Sequence, residues 1–136
     1  MYLDKKYNDF RAKVRDFAER VIAPYAAQVD ETGVYPRSLF EAMGKEGYLG
    51  MVVPKEYGGS GFEFLEYVIA VEELSRVCGS TGIAVAAHNG LGCSPIVRFG
   101  NEAQKRKYLP DIASGKKIAS FGLTEPSSVT GTSSNK

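Results

Sequence analysis

Leu3, Tyr7, Phe10, Val14, Phe17 and Val21 recur at alternating steps of four and three residues, and no other feature restricts the fold of this chain so tightly. Such steps return side chains to one side of an α-helix, so the opening segment must bury one face against something else. Asp9 with Lys13, and Asp16 with Arg20, stand four apart away from the stripe and keep their face in water. Pro24 removes a backbone donor inside the pattern, which predicts a kink or restart before the helix runs on toward Asp30 and breaks at Gly33.

The alternation of helix and punctuation continues down the chain. Pro36 opens a short helix with Leu39, Phe40 and Met43 inward, ending near Glu46. Residues 48–61 hold Gly50, Pro54, Gly58, Gly59 and Gly61, a density that suits an ordered loop. Residues 62–78 resume the helical period, and the apolar residues 81–99, broken by Gly90, Gly92 and Pro95, are expected to form the central, most buried helix. Asn101 can cap a further helix by accepting from the amide of Ala103 or Gln104, and that helix ends before Pro110 or near Gly115. Residues 116–124 then turn β-like through Ile118, Ser120 and Phe121. The expected fold is all-α, a helical bundle of about five to six helices with one short C-terminal β-like strand. A lone strand cannot satisfy its own backbone, so it either packs as irregular chain on the helices or pairs with sequence absent here.

Composition excludes several functions. A chain of 136 residues with 43% hydrophobic and 24% charged residues is one globular domain at most. Seventeen Lys plus Arg against sixteen Asp plus Glu leave a formal charge of +1, so no overall field draws nucleic acid or an anionic membrane. Cys78, Cys93 and a single histidine offer neither a disulfide framework nor a metal cluster, and the two thiols are expected to be reduced. Met1-Tyr2-Leu3-Asp4-Lys5-Lys6 has no apolar h-region behind it and no apolar run approaches the roughly 20 residues that span a bilayer, so the expected compartment is the cytoplasm.

The chemistry-bearing residues are sparse. His88 sits in an apolar run with no Ser, Cys or Asp at triad spacing, and by itself reads as a hydrogen-bonded packing histidine. Glu72 and Glu73 are adjacent on a helix, point about 100° apart and read as a solvated face with nothing to bind. Gly58-Gly59-Ser60-Gly61 lacks the lysine of a phosphate loop and reads as a tight turn, while Lys105-Arg106-Lys107 reads as a solvated helix face. The stretch Phe121-Gly122-Leu123-Thr124-Glu125-Pro126 suits the edge of a ligand site, because extended backbone leaves amides free and the proline ends the run.

Taken in order, Ile22-Ala23-Pro24, Tyr35-Pro36, Gly47-Tyr48-Leu49-Gly50, Pro54-Lys55-Glu56-Tyr57-Gly58-Gly59-Ser60-Gly61, Gly100-Asn101-Glu102-Ala103-Gln104-Lys105, Tyr108-Leu109-Pro110 and the Phe121-to-Pro126 run resemble the N-terminal part of the acyl-CoA dehydrogenases. The resemblance covers almost the whole chain. It implies a flavoenzyme of three parts, an N-terminal helical domain, a middle β domain and a C-terminal helical bundle, with FAD between them and a homo-oligomeric, usually tetrameric, assembly. Acyl-CoA would be the substrate and an electron-transferring flavoprotein the partner. On this chain the resemblance implies a helical domain over 1–116 and the start of the β domain over 117–126, while the Ser/Thr-rich composition of 127–136, without apolar payload, leads to the expectation of a polar, disordered tail. It assigns Phe121, Leu123 and Thr124 to the flavin and the region of His88, Asn89, Leu91 and Pro95 to the wall of the acyl-chain pocket, so His88 carries both a packing and a pocket reading.

Departures from the family pattern follow the Thr124-Glu125-Pro126 run. Thr130 stands where the family places a hydroxyl on the FAD pyrophosphate, but Val129 replaces a glycine and Gly131 an aspartate. The family's catalytic glutamate belongs to the C-terminal bundle and has no counterpart here, so no catalytic residue and no metal ligand is expected. The expectation is one wall of a flavin and acyl-chain pocket, inactive by itself and not retaining FAD. The alternatives are a helical binding or regulatory module derived from the family, or an unrelated structural bundle.

Overall fold

The computed structural model describes residues 4–124. Among these, five continuous helical rods make up the body. The first joins α1 (Lys5–Phe17) to α2 (Ala23–Thr32) through a π turn at Ala18–Ile22, and α3 (Arg37–Lys45) and α4 (Phe64–Val77) follow. The fourth joins α5 (Gly79–Ala87) to α6 (Ser94–Phe99) through a second π turn at His88–Cys93, and α7 (Glu102–Ala113) is the fifth.

Pro24 does not interrupt the first rod, which runs on through a π turn. Both π turns end two residues before a proline, Pro24 in one case and Pro95 in the other. A proline ring collides with the carbonyl four residues back, here Arg20 and Leu91, and each of these lies inside the widened turn, which makes room without breaking the helix. The extra residue also shifts the buried face. Val14 and Phe17 are buried as the stripe requires, but the next buried positions are Ala18 and Ile22 rather than Val21.

The stripe of α1 packs with α3, α4, α5 and the loop residues Tyr48, Leu49 and Met51 into the main core. Phe17 meets the Tyr48 ring edge-on at 5.2 Å, and Phe10 meets Phe62 at the same distance. A second cluster joins Val53, Tyr57, Cys93, Leu109, Ile112 and Ala113 beneath α7. The fourth rod is buried through its first two thirds, at Thr81, Gly82, Val85, His88, Asn89, Gly92 and Cys93, but α6 at its end has no fully buried residue and Phe99 is exposed.

Glu73 overturns its expected place on a solvated face. Its carboxylate is 1% exposed and accepts from Arg11 Nη1 at 2.7 Å and from Arg15 Nε and Nη2 at 2.9 Å, clamping α1 onto α4. Arg76 approaches at 3.4 Å from the next turn of α4. Glu72 stays at the surface and pairs with Arg11. The reason is rotational: neighbours on a helix diverge, and α1 covers only one of the two directions.

Residues 48–61 form the ordered loop that their glycines predict. The Ser60 amide donates to Gly50, the Phe62 amide to Met51 and the Gly61 amide to Val53, so the loop folds back on itself. Gly59 passes so close to Val53 that a Cβ would lie 2.0 Å from its carbonyl oxygen. A Gly59→Ala variant is therefore expected to lose about 1–3 kcal/mol of unfolding free energy, read from its urea midpoint, because the obstacle is backbone that cannot rotate away.

Asn101 caps α7 as expected: its Oδ1 accepts from the Gln104 amide at 2.9 Å, and Gln104 Oε1 accepts the Asn101 amide in return. The helix runs through Pro110 and stops at Ala113, with Gly115 at φ +76°. The β-like character expected of residues 116–124 is not realised as a strand among the described residues. Residues 118–124 are irregular chain, since no second extended segment lies beside them to complete a ladder.

Candidate functional site

The second π turn collects the sequence-predicted residues. Asn89 is fully buried and its side chain joins three parts of the chain. Its Oδ1 accepts from the Met51 amide at 3.0 Å and the Val52 amide at 3.4 Å, while Nδ2 donates to the Tyr48 carbonyl at 2.9 Å and the Val85 carbonyl at 3.1 Å. Every bonding position of the amide is engaged by backbone.

His88, 1% exposed, bridges in a different direction. Its Nε2 lies 3.2 Å from the Ile112 carbonyl, and its Nδ1 lies 3.2 Å from the Ala119 amide. A carbonyl only accepts and an amide N–H only donates, so the ring must be the neutral tautomer with its proton on Nε2. Burial pushes its pKa below the ordinary histidine value, against the opposite pull of the Ile112 and Leu49 carbonyls. Cys93 closes the turn with its Sγ 3.9 Å from the Leu49 carbonyl, and burial pushes its thiol up to about 12, so it is protonated at neutral pH.

Leu91 and Pro95 face outward. Leu91 is 55% exposed, and Pro95 borders two grooves. One, about 590 Å³, runs between α4 and α6 past Phe64, Tyr67, Val97 and Phe99; the other, about 430 Å³, runs between α6 and α7 past Ile96, Tyr108 and Ile112. Tyr67 is steadied at the first groove by its hydroxyl, which donates to the Ala86 carbonyl.

Residues 118–124 approach the same turn. Gly92 leaves the space that Ala119 occupies: a Cβ on Gly92 would sit 2.4 Å from the Ala119 methyl. Upstream, Arg37 Nη2 donates to the Gly115 and Lys116 carbonyls at 2.9 and 2.6 Å, and the Lys117 amide donates to the Asp111 carbonyl. Beyond Ala119 the chain is exposed, with Phe121 at 53% and Leu123 at 46%, and Thr124 is also open to solvent. Glu125, Pro126, Thr130 and the tail over 127–136 lie outside the described residues. The close approach of Gly92 to Ala119 and the Arg37 clasp are absent from the sequence-based expectations; a glycine inside a helical pattern was the one signal for the first.

Among the described residues, no group of three or more His, Cys, Asp and Glu side chains could hold a metal ion, and no helix is long and apolar enough to cross a membrane.

The comparisons with known proteins agree with this architecture. A family model described as the acyl-CoA dehydrogenase N-terminal domain matches residues 4–116. The short-chain specific acyl-CoA dehydrogenase of Clostridium acetobutylicum is 49% identical over 120 residues, covering 88% of this chain and 32% of that protein. Among solved structures, one described as the electron transferring flavoprotein of Acidaminococcus fermentans matches with a TM-score of 0.86 at 42% identity, over 93% of this chain and 33% of that one. An acyl-CoA dehydrogenase complexed with FAD, from Bacillus anthracis, matches with a TM-score of 0.83 at 36% identity, over 91% of this chain and 22% of that one. The chain spans about a third of the length of the curated relatives it matches. The chain therefore belongs to the acyl-CoA dehydrogenase family, through that family's N-terminal helical domain.

Proposed function

We propose that this chain supplies one wall of the flavin and acyl-chain pocket of a FAD-dependent acyl-CoA dehydrogenase, an oxidoreductase that introduces an α,β double bond into acyl-CoA thioesters. One observation carries the reading: Ala119 docks on the π turn at His88 and Gly92, so the segment the resemblance assigns to the flavin begins two residues beyond a contact with the segment it assigns to the acyl chain. The FAD-bound relative from Bacillus anthracis supports the choice of cofactor.

The residues present fit that group. No partner among the described residues takes the amides of Leu123 and Thr124, and the Phe121 ring is half exposed, which leaves donors and an apolar face for a flat heterocycle. When bound, FAD supplies the hydride acceptor. The Leu123 backbone with the Thr124 amide and hydroxyl then provides hydrogen-bond donors where negative charge develops, and Thr130 is assigned to the pyrophosphate. Leu91 and Pro95 present apolar surface to the acyl chain and exclude water, while His88 and Asn89 hold that wall from behind. In this reading the helical domain is assigned 1–116 and the start of the β domain 117–126. The full assembly is a cytoplasmic homo-oligomer that passes electrons to an electron-transferring flavoprotein.

The catalytic base is not in this chain. Purified alone, the 136-residue chain is expected to stay colourless and to show no turnover of saturated acyl-CoA thioesters with an artificial electron acceptor. Turnover there would overturn the assignment of the base to another domain. In a longer protein that joins this domain to the rest of the family's architecture, bound FAD should bleach anaerobically when an acyl-CoA of the right length is added, and a panel across chain lengths that never bleaches it would sink the proposed activity.

A further inference from the structure

His88 does more than fill space. Contacts along its length pin the chain between Gly115 and Ala119: the Gly115 amide on Ile112, two carbonyls held by Arg37, the Lys116 and Lys117 side chains and the Lys117 amide on Asp111, and the Ala119 amide on His88 Nδ1. Ala119 is the last of them among the described residues. From there to Thr124 are five residues, at most about 17 Å of extended chain, with no further hydrogen bond to the helical body. Whatever orients the start of that segment sets where its far end arrives.

We infer that His88 is a positioning residue that fixes the exit of residues 119–124 from the helical domain, and with it the place at which Leu123 and Thr124 present their donors to the flavin. The ring can do this because its two nitrogens face different elements. Nε2–H is anchored on the last turn of α7 through Ile112, so the ring cannot swing, and Nδ1 is thereby aimed at one amide. Gly92, one turn along the rod, removes the methyl that would push Ala119 out of reach. Asn89 holds the π turn against the 48–53 loop through three hydrogen bonds, so the platform carrying His88 is itself fixed. The consequence for the flavin rests on the function proposed above, whereas the latch itself does not.

The two nitrogens can be tested separately, because asparagine places an acceptor near the position of Nδ1 and glutamine places a donor near that of Nε2. His88→Asn keeps the Ala119 contact and loses the Ile112 one; His88→Gln does the reverse. In the 136-residue chain, hydrogen exchange at the Ala119 amide is expected to quicken about tenfold in His88→Gln and about twofold or less in His88→Asn. Equal exchange at Ala119 in the two variants would mean that His88 is only a core side chain and would overturn the latch. In the complete flavoprotein, His88→Gln should release FAD about tenfold more readily than His88→Asn. If Ala119 exchange separates the variants but FAD release does not, the latch stands and the assignment of residues 121–124 to the flavin fails.

Discussion

Glu73→Ala is expected to lower the unfolding free energy by about 3 kcal/mol, near the low end for breaking a buried ion pair. The low end applies because the three arginines it leaves behind are partly open to water and can be solvated once the carboxylate is gone. Glu72→Ala should change stability by about 0.5 kcal/mol or less, since that carboxylate is exposed and its pair with Arg11 is screened. Acid gives an independent reading of the same contact. Hydrogen bonds from Arg15, then Arg11, hold the Glu73 carboxyl down at about 2 against an ordinary value of 4.5, opposed by burial.

Because the folded value lies below the unfolded one, the unfolded chain binds the proton more readily between them. The contribution is fully present above about pH 4.5 and is lost as the pH falls through about 2. The span corresponds to about 3 kcal/mol. Urea titrations of the wild type and Glu73→Gln should therefore differ most near pH 6 and converge toward pH 2. A gap that stays constant with pH would mean that the carboxylate's charge is not what clamps α1 to α4.

Asn89→Ala is expected to cost about 4 kcal/mol. The buried side chain serves two amides and two carbonyls, and alanine leaves the Met51 amide and the Tyr48 carbonyl without their partner. Each such orphan costs about 1–3 kcal/mol when water cannot reach it. That is a large part of the stability of a chain this size, so the variant should melt well below the wild type. Before global unfolding, amide exchange at Met51 should accelerate more than exchange in α1, because the damage is to the tie between the π turn and the 48–53 loop. Uniform acceleration across the chain would show that Asn89 supports the fold generally rather than this junction.

Some of this was legible in the residues. The three-and-four spacing of the first segment as far as Phe17, the Asn101 cap with Gln104 and the glycine-dense loop each express forces acting within a few residues, and each forms as those forces require. The motif order from Ile22 to Pro126 was enough to suggest the family that the comparisons establish. The π turns were not legible, because a proline says only that the backbone must adapt, not whether it kinks or widens. The strand expected near residue 120 failed for a related reason: β character is completed by a partner strand, and none lies among the described residues.

The candidate site divides along the same line. Leu91, Pro95, Phe121, Leu123 and Thr124 could be named from motif resemblance, but nothing in their spacing says that residues 88 and 119 touch. Glu73 looked like its neighbour Glu72 until α1 was laid across one and not the other. The tautomer of His88 has no signal in the sequence; the Ile112 carbonyl and the Ala119 amide choose it. Local sequence thus determined the helices, their caps and the family, because periodicity, capping and backbone restriction act over a turn or two of chain. Tertiary structure decided which polar groups are buried and what each one holds, because desolvation and pairing depend on which distant surfaces meet.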